Sequence, residues 1–395
     1  MKKKKYKLKI RRLIIVVILI ALGVTSIILG TNYNKFFGLI PAKKVYSDIP
    51  KPNVEESKVS LVMVGDALIH SAIYESVKKD NYNFKPIFSE VKDIIGNYEL
   101  AFYNQETILG GKELGLSTYP QFNSPYEVGD AFVDMGFNLV SLATNHTLDR
   151  GVSTSYKTIK NSREYWDKQE DVIAAGSYYT QEQKDEIIVK EKNGIKYGLL
   201  AYTTSTNGLN IPKGKDYYVN VYNKEQVKKD IENLRDKVDL LMVSMHWGIE
   251  YSHTASQEQK TIAKYLSSLG VDIVIGTHPH VVEPIEFIDD TLVIYSLGNF
   301  VSSQIGVEKL TGLMASIDIT KTTVDGKVTV KLSNPKADLV YTCKPSSCGK
   351  GQYKVYPYNK LTSSMLPNYK TYYKKYMDIV RSLDKNISTI YTEEA

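Results

Sequence analysis

Two common catalytic motifs are absent from this chain of 395 residues. It contains no Gly-x4-Gly-Lys-Ser/Thr stretch, which excludes activation of a substrate by ATP through a P-loop. It also contains no Gly-x-Ser-x-Gly elbow, and no evident base lies beside Ser302-Ser303, which argues against a serine hydrolase. Internal repeats and low-complexity segments are absent as well.

Cysteine is scarce, with Cys343 and Cys348 placed around a Pro-Ser-Ser turn. A Cys-x4-Cys metal knuckle would need two further ligands nearby, and the sequence offers none. In an oxidising compartment the two thiols would instead close a small loop. We therefore predict a disulfide between Cys343 and Cys348.

A net positive charge is absent outside the N-terminus. The chain has a net charge of +6, but eight lysines and arginines lie in the first twelve residues, which leaves −2 for the remainder. The basic balance therefore does not indicate a nucleic-acid partner. The basic segment precedes a charge-free apolar run over residues 13–30. At about 1.5 Å per residue the run spans roughly 27 Å, close to the bilayer core of about 30 Å.

This pattern predicts a single-pass protein of the cell membrane. Residues 1–12 form a basic cytoplasmic tail and residues 13–30 a transmembrane anchor, and the positive-inside rule places the rest outside the cell. A cleaved signal peptide is the alternative, although its apolar region is usually only about 7–15 residues long. Residues 31–57 contain three prolines and are predicted to form a linker.

Strand-like apolar runs alternate with helical patterns over residues 58–341. Near-continuous apolar strands between helices are typical of buried sheets in α/β proteins. The predicted strands are 59–64, 100–103, 138–142, 240–244, 272–275 and 292–296, with a hairpin of 187–191 and 196–202. The predicted helices are 156–169, 224–237 and 257–269.

The pattern changes towards the C-terminus. Strand-like runs at 313–319, 327–332 and 337–341 follow one another, which suggests antiparallel pairing in a second sheet. We therefore predict an α/β sandwich of two sheets for residues 58–341. Residues 342–395 are predicted to be a C-terminal extension with the cysteine loop and a tyrosine-rich terminal helix within 365–385.

Histidine is scarce too, yet five of the six histidines follow strand-like runs. Each stands near a carboxylate, an amide or another histidine, and ligands of open α/β sheets bind at the carboxyl ends of strands. Imidazole mixed with oxygen donors is typical of transition-metal sites, and burying such groups without a cation would be costly. Any one of these motifs alone has an ordinary structural explanation. The sixth, His253, fits no ligand position and is predicted to be an exposed loop residue.

The series of motifs resembles the CapA family, the poly-γ-glutamate capsule synthesis proteins, which are similar to calcineurin-type metallophosphoesterases. The motifs are Gly65-Asp66-x-x-x-His70, Asn104-x-Glu106, Asn145-His146-x-x-Asp149-x-Gly151, His246-Trp247-Gly248-x-Glu250-Tyr251, Gly276-x-His278-Pro279-His280 and Tyr295-Ser296-Leu297-Gly298-Asn299-Phe300. The resemblance covers roughly residues 59–319. It implies a metallophosphoesterase-like four-layer sandwich, with two mixed sheets flanked by helices. It also implies a surface location and membrane synthase subunits as partners.

The resemblance further implies a role for individual residues. Asp66 and His70 would replace the family's Asp-x-His pair, and Glu106 its metal-bridging aspartate. Asn145 would bind a second metal, with His146 beside it as acid or electrophile. The remaining metal ligands would be His246, His278 and His280. The longer spacing of the first pair and the glutamate bridge would each allow one metal instead of two. We expect one or two divalent Mn, Fe or Zn ions.

Three further residues follow the ligand motifs. Asp149 is expected to share the catalytic role of His146, or only to hold its ring, and Glu250 and Tyr251 are expected to contact substrate. The leading hypothesis is a membrane-anchored extracellular hydrolase or transferase that acts on an anionic, poly-γ-glutamate-like capsule polymer. The alternatives are a surface metallophosphoesterase for envelope or nucleotide substrates, and a non-catalytic subunit that binds metal or polymer in a synthase complex.

Overall fold

The computed structural model describes residues 53–349 and 351–391. The strands in this part of the chain are β1 (Val54–Ala67), β2 (Leu100–Asn104), β3 (Leu139–Ser141), β4 (Ile173–Ala175), β5 (Lys190–Lys192), β6 (Ile195–Thr203), β7 (Leu240–His246), β8 (Ile273–Thr277), β9 (Ile285–Ile288), β10 (Thr291–Ile294), β11 (Asn299–Val301), β12 (Thr311–Val324), β13 (Lys327–Cys343) and β14 (Lys354–Pro357). The helices are α1 (Ser71–Val77), α2 (Lys92–Ile95), α3 (Glu127–Asp134), α4 (Lys157–Trp166), α5 (Gln181–Asp185), α6 (Lys224–Arg235), α7 (Gln257–Ser268), α8 (Val307–Leu310), α9 (Pro345–Cys348) and α10 (Tyr369–Val380).

The strands form two mixed sheets. The first has the order β14-β13-β12-β1-β2-β3-β4, with β11 also paired to β1. In this sheet β1 to β4 and β11 run parallel, while β12, β13 and β14 add antiparallel pairs. The second has the order β5-β6-β7-β8-β10-β9, parallel from β6 to β10 and antiparallel at both edges.

The buried residues place the two sheets face to face with helices outside. Alternate residues of β1, such as Leu61 and Met63, share one apolar cluster with Leu199 of β6 and Met242 of β7. The other face of the first sheet packs against α1, α3 and α4, and the other face of the second packs against α6 and α7. The alternation of apolar side chains along each strand therefore builds the predicted four layers, helix, sheet, sheet and helix.

Most predicted elements are present, with boundaries that differ by a few residues, but two predictions about the late strands are wrong. The predicted strands 327–332 and 337–341 are one continuous strand, β13, in which Asn334 has a positive φ of 53°. The strands after residue 310 are antiparallel as expected, yet they extend the first sheet, because β12 pairs along most of β1. The apolar side chains of β12, such as Leu313 and Ile317, reach the core between the sheets from that position.

The segment after residue 341 also joins the first sheet. Strand β14 pairs with the end of β13, and the tyrosines of α10 pack on the core between the sheets. Cys343 and Cys348 form the predicted disulfide, with Cα atoms 5.9 Å apart. This bridge links the end of β13 to α9, just before β14.

Residues 13–30, the predicted membrane anchor, lie outside the residues that the structure describes. Within residues 53–349 and 351–391, no helix has the length and apolar character needed to cross a membrane.

Candidate metal centre and cleft

The polar motifs of both sheets meet at the carboxyl ends of their parallel strands. Asp66 lies near the end of β1, Asn104 ends β2, and His246 ends β7. The loops that follow β3 and β8 carry Asn145-His146 and His278-Pro279-His280. Because both sheets contribute, residues that lie more than 200 positions apart in the chain become neighbours.

Two glycines allow this close approach. A Cβ atom on Gly65 would lie 1.7 Å from the carbonyl oxygen of Gly298, and one on Gly276 would lie 1.9 Å from that of Tyr295. Real Cβ atoms do not approach that closely, so both positions require glycine. The segment from Tyr295 to Gly298 consequently packs directly against the ends of β1 and β8, next to Asp66.

A first group of candidate ligands consists of Asp66, Glu106 and His280. One ligand atom from each lies within 4.8 Å of the others, and all three residues are buried. Asn104 Nδ2 donates to Asp66 Oδ1 at 2.8 Å, and His280 Nδ1 lies 3.0 Å from Asn299 Oδ1. Both Glu106 oxygens are buried and lack a hydrogen-bond partner in the described part of the chain. A buried carboxylate without a hydrogen bond, with Oε1 3.6 Å from the Nε2 atom of His280, is an environment that a divalent cation would satisfy.

A second group of candidate ligands adjoins the first. His246 Nε2 lies 3.0 Å from Asn145 Oδ1 and 3.2 Å from His278 Nδ1. On its other side, His246 Nδ1 lies 3.0 Å from Thr277 Oγ1, which fixes the ring orientation. Two imidazoles and an amide oxygen therefore converge as they would around a metal ion. The backbone N–H of His278 donates to Asp66 at 3.4 Å and connects the two groups.

The backbone around Pro279 is strained. His278 and His280 have positive φ angles of 98° and 60°, which side-chain-bearing residues rarely adopt. Such conformations persist where surrounding contacts impose them, and they concentrate at functional sites. Here the backbone N–H of His278 is bonded to Asp66, and the ring of His280 is held by Asn299.

The pKa shifts of the buried groups are also compatible with a bound cation. Burial lowers the pKa of His278 to about 4 and that of His246 well below its ordinary value, so both rings are neutral at pH 7. Burial raises the pKa of Glu106 well above its usual range. Burial alone would lower the pKa of His280, but the carboxylates of Glu106 and Asp66 raise it to about 9. Without a metal, a proton on His280 therefore supplies the positive charge that these carboxylates require.

His146 and Asp149 form a separate pair beside the ligand groups. His146 Nδ1 lies 2.7 Å from Asp149 Oδ2, and the backbone N–H of Phe122 donates to the same oxygen at 2.6 Å. Burial raises the pKa of Asp149, although its hydrogen bond with His146 opposes this shift. The carboxylate thus fixes the His146 ring, which packs edge-on against Phe122 with centroids 4.8 Å apart.

An open cleft of about 470 Å³ gives access to this centre. His280, His146, Asp149, Glu250 and Tyr251 all line it. His70 lines it as well, but the structure does not bring His70 into the group of Asp66, Glu106 and His280. The Nδ1 atom of His70 lies 3.1 Å from its neighbouring Leu68 carbonyl oxygen, and burial lowers its pKa to about 4. The structure therefore places His70 with the residues of the cleft wall.

Several supporting residues had no predicted role. Asn104, Thr277 and Asn299 contact the candidate ligands, and their signal in the sequence was only a polar residue at the end of an apolar strand. His253 lies in a loop and outside both ligand groups, as predicted, but the prediction that it is exposed is wrong. It is half-buried, with Nδ1 2.8 Å from the Val282 carbonyl oxygen and its ring 5.4 Å from that of Tyr376, because α10 packs there.

Comparison with known proteins identifies the family. Residues 60–304 match PGA_cap, the bacterial capsule synthesis protein family, over more than half of the chain. The chain belongs to this family. The predicted resemblance to CapA proteins is thereby confirmed.

Two CapA proteins are among the relatives. The PGA biosynthesis protein CapA of Bacillus subtilis (strain 168) is 28% identical over 270 residues, which cover 67% of this chain and 66% of that protein. The capsule biosynthesis protein CapA of Bacillus anthracis is 28% identical over 267 residues, which cover 65% and 62%. The chain therefore spans slightly less than two thirds of the length of either relative.

Similar solved structures include proteins of other descriptions. A Staphylococcus aureus protein assigned as a 5′-nucleotidase has a TM-score of 0.43 at 13% identity, covering 82% of this chain and 58% of that one. GAP50, the anchor in the inner membrane complex of Plasmodium, has a TM-score of 0.32 at 12% identity, covering 86% and 99%. Both TM-scores lie below 0.5, so neither structure supports an argument about the fold. The four-layer architecture rests on the strands and helices of this chain alone.

Proposed function

We propose that this capsule synthesis family member is a metal-dependent hydrolase or transferase that acts on an anionic capsule polymer of the poly-γ-glutamate type. The observation that carries the proposal is the pair of buried Glu106 oxygens without a hydrogen bond, which lie beside the imidazole of His280, a residue of the cleft wall. We infer the type of polymer from the names of the CapA relatives.

The residues present fit one or two divalent Mn, Fe or Zn ions. Asp66, Glu106 and His280 would hold the first, and the second would take its ligands from Asn145, His246 and His278. Bound there, a divalent ion would polarise an acyl or phosphoryl oxygen and lower the pKa of a coordinated water. The donor set contains imidazole and oxygen without thiolate, which favours these metals over a cysteine-type structural zinc site.

His146 would move the proton in the reaction. Its Nδ1 atom is held by Asp149, so Nε2 is left to exchange a proton with the leaving group in the cleft. A general acid of this kind contributes typically about 10²–10⁴-fold in rate. Asp149 would keep the ring oriented and stabilise its charged form, as a carboxylate held by the Phe122 N–H can do.

Substrate would contact the cleft wall. Glu250 and Tyr251 line the cleft on the side of His280, and His70 lines it on the side of Phe122. We include His70 among the substrate-contacting groups, since its Nε2 atom is not engaged by the Leu68 carbonyl that Nδ1 approaches. These residues would orient the polymer over the ligand groups.

The location and partners belong to the same proposal. The basic tail and the apolar run of residues 13–30 support a single membrane anchor, with the folded body outside the cell. A protein held there would meet the polymer as membrane synthase subunits release it. Phosphoesterase activity on envelope or nucleotide substrates, and a purely structural role in the synthase complex, are the competing outcomes.

The test uses purified full-length protein loaded with Mn²⁺. Incubation with poly-γ-glutamate should change its chain length or join it to an added amine acceptor, as resolved by gel electrophoresis and mass spectrometry. His146→Asn should retain metal by elemental analysis and lose this activity by about 10²-fold or more. Turnover of a phosphodiester without any effect on the polymer would favour a phosphoesterase. Normal capsule output from His146→Asn cells would favour a structural role.

A further inference from the structure

A lysine lies behind the rim of the cleft, where it contacts Tyr251, a residue of the cleft wall. Lys309 lies on the short helix α8, and its Nζ atom lies 4.7 Å from the centroid of the Tyr251 ring. The Tyr251 ring is in turn 5.9 Å from the ring of His280. Only one aromatic side chain therefore separates the ammonium group from a candidate metal ligand.

Hydrogen bonds fix the backbone of Lys309 relative to the centre. The Nδ2 atom of Asn299 donates to the Lys309 carbonyl oxygen at 2.9 Å, while Asn299 Oδ1 lies 3.0 Å from His280 Nδ1. One asparagine side chain thus connects the lysine and the histidine. Any movement of α8 would disturb the orientation of the His280 ring.

Tyr251, the aromatic partner of the lysine, is held as firmly. Its backbone N–H donates to the Pro279 carbonyl oxygen at 2.8 Å. Its hydroxyl accepts from Gln304 Nε2 at 3.4 Å, and Gln304 Oε1 accepts from Asn299 at 2.9 Å. The ring under the ammonium group is therefore part of the same network, which positions a positive charge behind one point of the rim.

This charge has no salt bridge in the described part of the chain. Other lysines, such as Lys321 and Lys354, have carboxylate partners at 2.8 and 3.2 Å. A cation–π contact orients an ammonium group without neutralising it. Lys309 consequently holds a positive charge without a carboxylate partner in the described residues, beside a tyrosine of the cleft wall.

Exposed apolar side chains lie near this lysine in sequence or line the cleft. Ile249 and Ile305 are largely exposed, and they adjoin the cleft residues Glu250 and Gln304 in sequence. Tyr119 is also largely exposed and lines the cleft. A ligand that combines methylene groups with regularly spaced carboxylates would match these apolar side chains together with the lysine.

We propose that Lys309, held over Tyr251, forms a subsite for a carboxylate of the polymer unit next to the one that reacts. This inference rests on the proposed function, because it concerns the same cleft. In a chain of γ-linked glutamate units each unit carries a free carboxylate and aliphatic carbons, so one unit would place its carboxylate at Lys309 and its methylenes on the exposed apolar side chains. The subsite would set the register of the chain over the metal ligands.

Fluorescence anisotropy of the full-length protein would test the subsite. The probe is a short fluorescein-labelled poly-γ-glutamate oligomer, measured with and without Mn²⁺, at low and high ionic strength. Lys309→Met keeps the apolar stem over Tyr251 and removes the charge, so it should weaken binding by about tenfold at low ionic strength. Lys309→Arg should stay within about threefold of wild type, because it keeps the charge and can stack on the ring.

A matched control lies elsewhere on the molecule. Lys224 Nζ lies 4.6 Å from the centroid of the Tyr265 ring, a similar contact whose tyrosine, unlike Tyr251, does not line the cleft. Lys224→Met should leave binding unchanged. An equal loss in Lys224→Met, or wild-type affinity in Lys309→Met, would overturn the inference. An oligomer with amidated carboxylates should bind weakly, and equally to wild type and to Lys309→Met.

The outcomes separate this inference from the proposed function. If wild type binds the oligomer and Lys309→Met does so equally well, the polymer proposal stands and the subsite is wrong. If wild type binds only a phosphate-bearing probe, and Lys309→Met weakens that binding, the polymer is wrong and an anion subsite remains. If neither anionic probe binds wild type, both proposals are wrong.

Discussion

Replacing Glu106 with glutamine is expected to leave the metal-free protein at least as stable and to remove most of its response to metal. The Glu106 carboxylate is buried and its oxygens have no hydrogen-bond partner within the described residues. A negative charge in that position costs free energy unless a cation is bound. Glutamine has nearly the same shape without the charge, so the substitution removes this cost together with a metal ligand.

The size of the effect follows from the dependence of stability on binding. A metal that binds only the folded state at 100 times its Kd stabilises it by about 2.7 kcal/mol. For a domain of this size 1 kcal/mol corresponds to about 2–3 °C, so the wild-type melting temperature should rise by about 5–8 °C. If Glu106→Gln binds metal about 100-fold more weakly, the same concentration adds only about 0.4 kcal/mol, or about 1 °C.

The assay is thermal unfolding of the full-length protein in a chelator and in increasing Mn²⁺. Glu283→Gln is a matched control, because Glu283 is also fully buried with one unpartnered oxygen, and Gln259 donates to its other oxygen at 2.6 Å. This variant should keep the whole metal response, since Glu283 is not one of the candidate ligands. A full response in Glu106→Gln, or an equal loss in Glu283→Gln, would refute the metal assignment.

Three further predictions concern buried groups. Burial raises the pKa of Glu283 to about 8, so its contribution to stability is present at acid pH and is lost as the pH rises from about 4.5 to 8. Between those pH values, the free energy of unfolding of wild type, measured with urea, should fall by up to about 1.4 kcal/mol per pH unit relative to that of Glu283→Gln. A difference between the two proteins that stays constant with pH would contradict this. The double variant Cys343→Ser, Cys348→Ser should still fold and lose about 2 kcal/mol or less, because the loop is short; free thiols in unreduced wild type would contradict the bridge. His278→Ala should lose metal by elemental analysis while His253→Ala keeps it, and the reverse result would show that the ligand groups are wrongly drawn.

Much of the fold could be predicted because its main strands can be recognised from short stretches of sequence. The strands β1, β2 and β7 are continuous apolar runs followed by polar residues, and each ends within three residues of its predicted end. The start of β1 was missed, because this strand begins at Val54, inside the predicted linker of residues 31–57. Both the strands and the polar groups at their ends are properties of short segments. The meeting of those groups was expected because carboxyl ends of parallel strands share an edge.

The pairing of late strands could not be predicted in the same way. A turn-like Asn-Pro pair at Asn334 divides the apolar pattern, yet β13 continues through it because pairing with β12 holds the backbone on both sides. Which sheet these strands join is decided by long-range packing against β1, and the local pattern is equally compatible with either sheet.

The contacts of residues around the candidate centre could not be predicted either, because they join distant parts of the chain. His253 and Tyr376 lie more than a hundred residues apart, and their contact depends on where α10 docks. Lys309 and Tyr251 are 58 residues apart, and neither residue type signals a cation–π contact in sequence. Sequence therefore pointed to candidate metal ligands, whereas the residues that orient them emerged only from the tertiary structure.

The division of the ligands between two sheets has a consequence for metal binding. Asp66 and Glu106 follow strands of the first sheet, and His246 and His280 follow strands of the second. The candidate ligands can therefore meet only when both sheets are packed face to face, and the glycine contact at Gly65 fixes how closely their ends approach. A bound metal would join the two sheets and resist their separation, so metal binding and the packing of the central core should stabilise each other.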